Sequence, residues 1–212
     1  RPLDAAEAAK LEELTVRRAA REPLQYLCGS WPFLDFELAV GPGVLCPRAD
    51  TEVVAEAAAE LLRGVQHPKV LDLCAAPGGK SFSAAFAMED KGEIVSCDLH
   101  ENKLKRIQEG AARLDLTSIT TSAGDGRVFR PEWAERFDTV LVDAPCSGEG
   151  MFRKEAVAVT QHCEALVKQC AALGAQILDN AATCLAPGGE MIFSTCTFAP
   201  EEDEGQVAAF LQ

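Results

Sequence analysis

The stretch Leu71-Asp72-Leu73-Cys74-Ala75-Ala76-Pro77-Gly78-Gly79-Lys80 decides the fold. The apolar run at 70–73 breaks into a turn of small residues with two glycines and then into a helical pattern, the arrangement by which a parallel α/β sheet brings backbone close to a ligand. A Gly-rich strand, turn and helix is a weak signal by itself. Its company strengthens it: Asp98, Asp125, Asp143-Ala144-Pro145-Cys146 and Ser194-Thr195-Cys196-Thr197 all follow at predicted strand ends.

Working downstream, strands are expected over 69–73, 93–98, 119–123, 137–143 and 190–194. Between and after them come helices over 80–88, 101–114, 155–185 and 201–211. Leu104, Ile107, Ala111 and Leu114 fall on one face of the second helix, and Ala186-Pro187-Gly188-Gly189 is read as the stop of the third. Strands alternating with helices predict an α/β, doubly wound, mostly parallel sheet. Upstream, 5–20 reads as an amphipathic helix ending before Glu22-Pro23. Short β-type runs over 25–29, 33–40 and 41–45 predict a hairpin, and a helix over 52–62 is capped by Asp50 or Thr51. His67-Pro68 marks the boundary, giving a small N-terminal appendage over 1–66 and the main domain over 67–212.

A chain of 212 residues with 48% apolar content suits one full domain plus an appendage. No apolar stretch approaches the roughly 20 residues that span a bilayer. The N-terminus, Arg1-Pro2-Leu3-Asp4, lacks an initiator Met and the layout of a signal peptide; a soluble, cytoplasmic protein starting inside a longer reading frame is expected. Nine cysteines, an odd number with no Cys-x-x-Cys spacing, suggest neither a disulfide framework nor a structural zinc site and fit a reducing compartment. No metal is expected. The net charge of −13 is spread over both parts, −4 in 1–66 and −9 in 67–212. Any RNA contact therefore has to come from a local basic patch or from a partner segment.

Ligands of open parallel sheets lie at the carboxyl ends of the strands, near the point where strand order reverses. There a loop of glycines admits an adenosine-and-amino-acid ligand, Asp98 can accept from both ribose hydroxyls, and Asp125 can accept from an adenine amino group. Each acid taken alone is equally well read as a helix cap or a turn residue. Together, in order, they favour S-adenosylmethionine over NAD, whose Gly-x-Gly-x-x-Gly spacing is missing. A P-loop is excluded because Cys74 stands where its first Gly should be.

Cys146 and Cys196 end successive strands, which places both thiols over one cleft. Cytosine C5 is a poor nucleophile; adding a thiolate to C6 first builds electron density on C5 for attack on a sulfonium methyl. One cysteine would be that nucleophile and the other could assist release. Asp143 is suited to the N3 edge of the ring, where charge develops in the adduct.

Residues 71–80, Asp143-Ala144-Pro145-Cys146-Ser147-Gly148-Glu149-Gly150-Met151-Phe152-Arg153-Lys154 and Ser194-Thr195-Cys196-Thr197-Phe198-Ala199-Pro200-Glu201-Glu202-Asp203-Glu204 resemble three signature motifs of the RNA 5-methylcytosine methyltransferases acting on ribosomal or transfer RNA. The resemblance covers about 69–212. It implies a Rossmann-like class I S-adenosylmethionine-dependent fold, with two further strands expected after the last helix and missing here. It also implies cofactor contacts by Cys74, Ala75, Ala76, Pro77, Gly78, Gly79, Lys80, Asp98, Asp125 and Asp143. Cys196 is implied as nucleophile and Cys146 as the release-assisting thiol. Arg153 and Lys154 would be the local basic contribution to RNA binding.

The first third resembles another family. Arg21-Glu22-Pro23-Leu24-Gln25-Tyr26 and Gly43-Val44-Leu45-Cys46-Pro47-Arg48-Ala49-Asp50-Thr51-Glu52 are similar to the linker of the release-factor glutamine N5-methyltransferases. That family is expected to carry Asn-Pro-Pro-Tyr where this chain has Asp143-Ala144-Pro145-Cys146. Two alternatives stand beside RNA methylation: glutamine methylation of a release factor, and a cofactor-binding or protein-interaction module without turnover.

Overall fold

The computed structural model describes every residue except Leu45, Pro47, Arg48 and Lys154, with Asp50 placed by its backbone alone. The chain forms two compact units, Arg1–Val53 and Val54–Gln212.

In the first unit, α1 (Ala5–Ala19) opens on a reciprocal cap. The Asp4 carboxylate accepts from the Glu7 N–H at 2.8 Å, and the Glu7 carboxylate accepts from the Asp4 N–H at 2.9 Å. The predicted β-run at 25–29 is instead a short helix, α2 (Leu24–Cys28). Pro23 begins it and Gly29, at φ +79°, ends it in the left-handed region, so local Pro-then-Gly punctuation overrode the β-type residues. The hairpin forms from β1 (Ser30–Phe33) and β2 (Phe36–Ala39), paired antiparallel. The next expected run, 41–45, is a turn through Val44, whose carbonyl accepts from the Tyr26 hydroxyl at 2.7 Å; Leu45 lies outside the described residues. The helix expected over 52–62 begins earlier, as α3 (Ala49–Leu62).

The second unit carries a five-stranded parallel sheet of β3 (Lys69–Leu73), β4 (Glu93–Asp98), β5 (Ile119–Ala123), β6 (Phe137–Asp143) and β7 (Leu185–Ser194), in the order β5-β4-β3-β6-β7. Strand order reverses between β3 and β6, which puts the switch point there. Side chains alternate across the pleat. Leu71, Leu73, Val140 and Val142 face one way and pack with Trp133, Phe137 and with Ile177, Ala181 and Cys184 of α7 (Glu164–Cys184). Val70, Ile94 and Leu141 face the other way and pack against Ala84 and Ala85 of α4 (Gly79–Ala87), Ala111 of α5 (Glu101–Arg113) and Ala58 and Leu62 of α3. Both faces are covered, so the central strands read as largely apolar runs, interrupted by the buried Asp72 in β3 and Ser96 in β4.

Two expectations differ at the end of this sheet. The helix predicted over 155–185 is two helices, α6 (Ala156–Gln161) and α7, broken at His162-Cys163, where both residues leave helical conformation. The His162 ring packs edge-on against Phe152, 5.2 Å between centroids. Because apolar periodicity continues on both sides of the break, the sequence pattern does not reveal it. The Pro187-Gly188-Gly189 segment, read as a helix stop, lies inside the long strand β7, beside a register irregularity between Phe137 and Thr139. A Cβ at Gly189 would sit 3.0 Å from the carbonyl oxygens of Phe137, Asp138 and Ala186, so glycine suits the close approach of the strands there. The last helix, α8, is shorter than expected, Glu204–Phe210. Among the described residues no helix is long and apolar enough to cross a membrane.

Candidate active site

The loop between β3 and α4 is held from below and from one side. Below it, the Ser81 hydroxyl donates to Asp72 Oδ2 at 2.5 Å and lies 2.7 Å from the Ser96 hydroxyl, all three residues fully buried. Asp72 Oδ1 has no hydrogen-bond partner, and burial pushes this carboxyl up to about 7. To the side, Asp98 Oδ2 accepts from the Ala76 N–H at 3.3 Å while Oδ1 accepts from the His100 N–H at 3.0 Å, and the Ala75 N–H reaches the Cys97 carbonyl at 2.9 Å. Asp98 thus fixes the loop and the turn after β4, and still faces the cleft beside them. Gly78 takes φ +107°, and a Cβ there would stand 2.9 Å from the Phe82 ring, so this glycine is demanded twice.

Those strand ends border a cleft of about 460 Å³. Cys74, Asp98, Leu99 and Asp125 line it from the sheet side, with Leu173 and Ile177 of α7 on another wall. Asp125 is occupied by a neighbour that the sequence reading passed over. Its carboxylate accepts from the Arg127 backbone N–H at 3.0 Å and from the guanidinium at 2.9 and 2.5 Å. The Arg127 side chain, then its backbone N–H, hold the Asp125 carboxyl down at about 2. Burial pushes the Cys74 thiol up to about 12 and the Cys97 thiol up to about 11, which keeps both protonated near neutral pH.

On the β6 side of the switch point stands a different group. Lys80 Nζ pairs with Asp143 Oδ2 at 2.7 Å, and the Ser194 hydroxyl donates to Asp143 Oδ1 at 2.9 Å. Lys80, quoted in the sequence only as part of the cofactor loop, therefore also reaches the end of β6. The loops after β6 and β7 bring Cys146 and Cys196 together: their Sγ atoms lie 3.3 Å apart, and the Cys196 N–H donates to Cys146 Sγ at 3.3 Å. Hydrogen bonding to Cys196 and then burial push the Cys146 thiol far above the ordinary cysteine range, so Cys146 keeps its proton.

Arg153 is exposed and is not among the residues lining the cleft; Lys154 lies outside the described residues. Four side chains without an assigned role stand out beside the thiols: Ser147, Glu149, Thr197 and Glu202. The signal for them was a hydroxyl directly after each cysteine and an acid in each Gly- or Pro-containing loop. Phe198, two residues after Cys196, is 80% exposed. Among the described residues no group of three His, Cys, Asp or Glu side chains is placed to hold a metal ion.

Residues 59–212 match the family model of the 16S rRNA methyltransferases RsmB/F, and residues 1–29 match the PrmC N-terminal domain. Over 71% of its length the chain is 36% identical to ribosomal RNA small subunit methyltransferase F of Serratia proteamaculans, and over 68% it is 40% identical to the probable methyltransferase B of Bacillus subtilis. It spans 32% of the length of each. The structure of NSun6 from Pyrococcus horikoshii with SFG superposes on 74% of the chain and uses 40% of its own, with TM-score 0.65 and 28% identity.

Proposed function

The chain belongs to the RsmB/F family of 16S rRNA methyltransferases, and on that premise we propose that it forms 5-methylcytosine in RNA through a covalent bond between Cys196 and C6 of the base. The observation that carries the proposal is the meeting of two thiols from separate strand ends at 3.3 Å, next in sequence and fold to the Lys80–Asp143 pair. S-adenosylmethionine, when bound, supplies an electrophilic methyl group. The cleft suits it: Cys74 brings the start of the loop after β3 to its wall, Asp98 offers acceptors for a ribose, and Leu99 and Ile177 offer apolar flanks for an adenine near Asp125. That a neighbour in fold was solved with SFG supports the same assignment.

In this scheme the Cys196 thiolate adds to C6 and shifts electron density to C5. Cys146, which holds its proton 3.3 Å from the Cys196 sulfur, is suited to assist its departure. Lys80 and Asp143 present a donor beside an acceptor, complementary to the N3 acceptor and amino donor of cytosine, so the ammonium faces the negative charge that the adduct places on the ring. Once C5 is methylated, a base such as water takes its proton, the electron pair returns to the C5–C6 bond, and Cys196 leaves with the proton that Cys146 supplies. The acidic chain leaves RNA affinity to local groups such as Arg153 and Lys154, and nine cysteines fit work in a reducing cytoplasm.

Transfer of labelled methyl to ribosomal RNA should disappear in Cys196→Ala while calorimetric cofactor binding persists; retained transfer refutes the scheme. The match of residues 1–29 favours one other reading, glutamine methylation of a release factor. It lacks the expected Asn-Pro-Pro-Tyr, and methylation of a Gly-Gly-Gln peptide by the purified chain would establish it.

A further inference from the structure

Two thiols on different loops keep a fixed distance only if the loops are tied together. Here the tie runs through the residue that follows each cysteine. Ser147, after Cys146, gives its N–H to Glu202 at 2.9 Å and its hydroxyl to the same carboxylate at 2.8 Å. Thr197, after Cys196, gives its hydroxyl to Glu149, which also accepts the Phe198 N–H at 2.6 Å. The Ser147 and Thr197 hydroxyl oxygens lie 3.1 Å apart, so the two carboxylate contacts sit side by side. Each carboxylate comes from the other cysteine's loop region: Glu149 follows Cys146, and Glu202 follows Cys196. The Gly150 N–H adds a backbone bond to the Cys196 carbonyl at 2.8 Å, and a Cβ at Gly150 would lie 2.8 Å from that same oxygen.

We propose that Glu149 and Glu202 are positioning residues that set the spacing of the Cys146 and Cys196 thiols, a role that rests on the cysteine chemistry above. Electrostatics alone argues against placing acids here, because a carboxylate near a thiol opposes its ionisation. What they offer is geometry. Glu202 is only 3% exposed, and a buried carboxyl with an N–H and an O–H donor aimed at it is a directional anchor. The bonds to Glu149 outweigh its burial and hold that carboxyl below the usual glutamate value, so it is ionised at neutral pH.

The test reads thiol spacing without methyl transfer. Diamide takes two electrons and two protons from a thiol pair, leaving a disulfide, and peptide mass mapping follows the Cys146–Cys196 product in the full chain. Glu149→Ala and Glu202→Ala should slow coupling by about tenfold each, the loss of roughly one net hydrogen bond from the aligned state. Glu149→Gln and Glu202→Gln, whose amide oxygen still accepts, should couple within about threefold of the parent. Thr197→Val keeps the shape, so its slower coupling cannot be laid to collapse, and cofactor affinity should hold in every variant. Coupling at the parent rate in both alanine variants overturns the proposal, as does an equal loss of cofactor affinity. Coupling that depends on both acids in a chain that forms no adduct with 5-fluorocytosine RNA would support the positioning role while sinking the RNA reading.

Discussion

Replacing Asp72 with Asn should remove a pH dependence of stability that this one carboxyl creates. In the folded chain it titrates at about 7 against an ordinary value of 3.8. The difference of about 3 units corresponds to at most about 4 kcal/mol. The sign follows from which state holds the proton. Below pH 3.8 both states are protonated and the group's stability contribution is intact. Between 3.8 and 7 the unfolded chain releases the proton while the folded chain keeps it, so stability falls as pH rises. Above 7 the loss is constant. Urea unfolding followed by circular dichroism at pH 4.5, 6, 7.5 and 8.5 measures this as the difference between Asp72→Asn and the parent. That difference cancels groups with the opposite slope such as Asp90, whose bonds to Thr117 and Ser118 outweigh burial and lower its pKa. The gain from Asn should grow by about 2–4 kcal/mol from pH 4.5 to 8.5. A difference that does not change with pH would refute a raised pKa for Asp72.

Asp98→Ala removes the acceptor for the Ala76 N–H and a wall of the cleft, so cofactor affinity by calorimetry should fall at least about tenfold; unchanged affinity would dismiss its binding role. Lys80→Met keeps the buried stem but removes the charge facing Asp143, and turnover should drop by about 10²–10³ with cofactor affinity nearly kept. A loss confined to cofactor affinity would return Lys80 to the cofactor loop alone. Phe198→Ala should leave urea stability within about 0.5 kcal/mol because the ring is exposed. It should raise the KM for RNA about tenfold if the ring stacks on a base, and an unchanged KM would rule out that contact.

The central sheet was legible because strands buried on both faces write themselves as short, largely apolar runs, and the strands expected over 69–73, 93–98 and 137–143 have those bounds in the structure. The meeting of Cys146 and Cys196 was legible because each follows the end of one of two successive predicted strands. What escaped was set by tertiary contacts. Residues 25–29 carry β-type side chains, yet Pro23 and Gly29 bracket a helical turn. Nothing periodic marks the break at His162, where ring packing against Phe152 replaces helix. Gly188-Gly189 looks like a stop until the close approach of Phe137 and Asp138 explains it as strand. Single-residue reasoning gave Asp125 and Lys80 one task each. Arg127 and Asp143, the partners that define what they do, became visible only in three dimensions.

The most direct measurement is mass spectrometry of the chain incubated with S-adenosylmethionine and ribosomal RNA containing 5-fluorocytosine, whose fluorine cannot leave C5 as a proton does. The account predicts a one-to-one covalent adduct that maps to Cys196, survives in Cys146→Ala and disappears in Cys196→Ala. An adduct that persists without Cys196, or a chain that methylates cytosine C5 with no adduct at all, would contradict it.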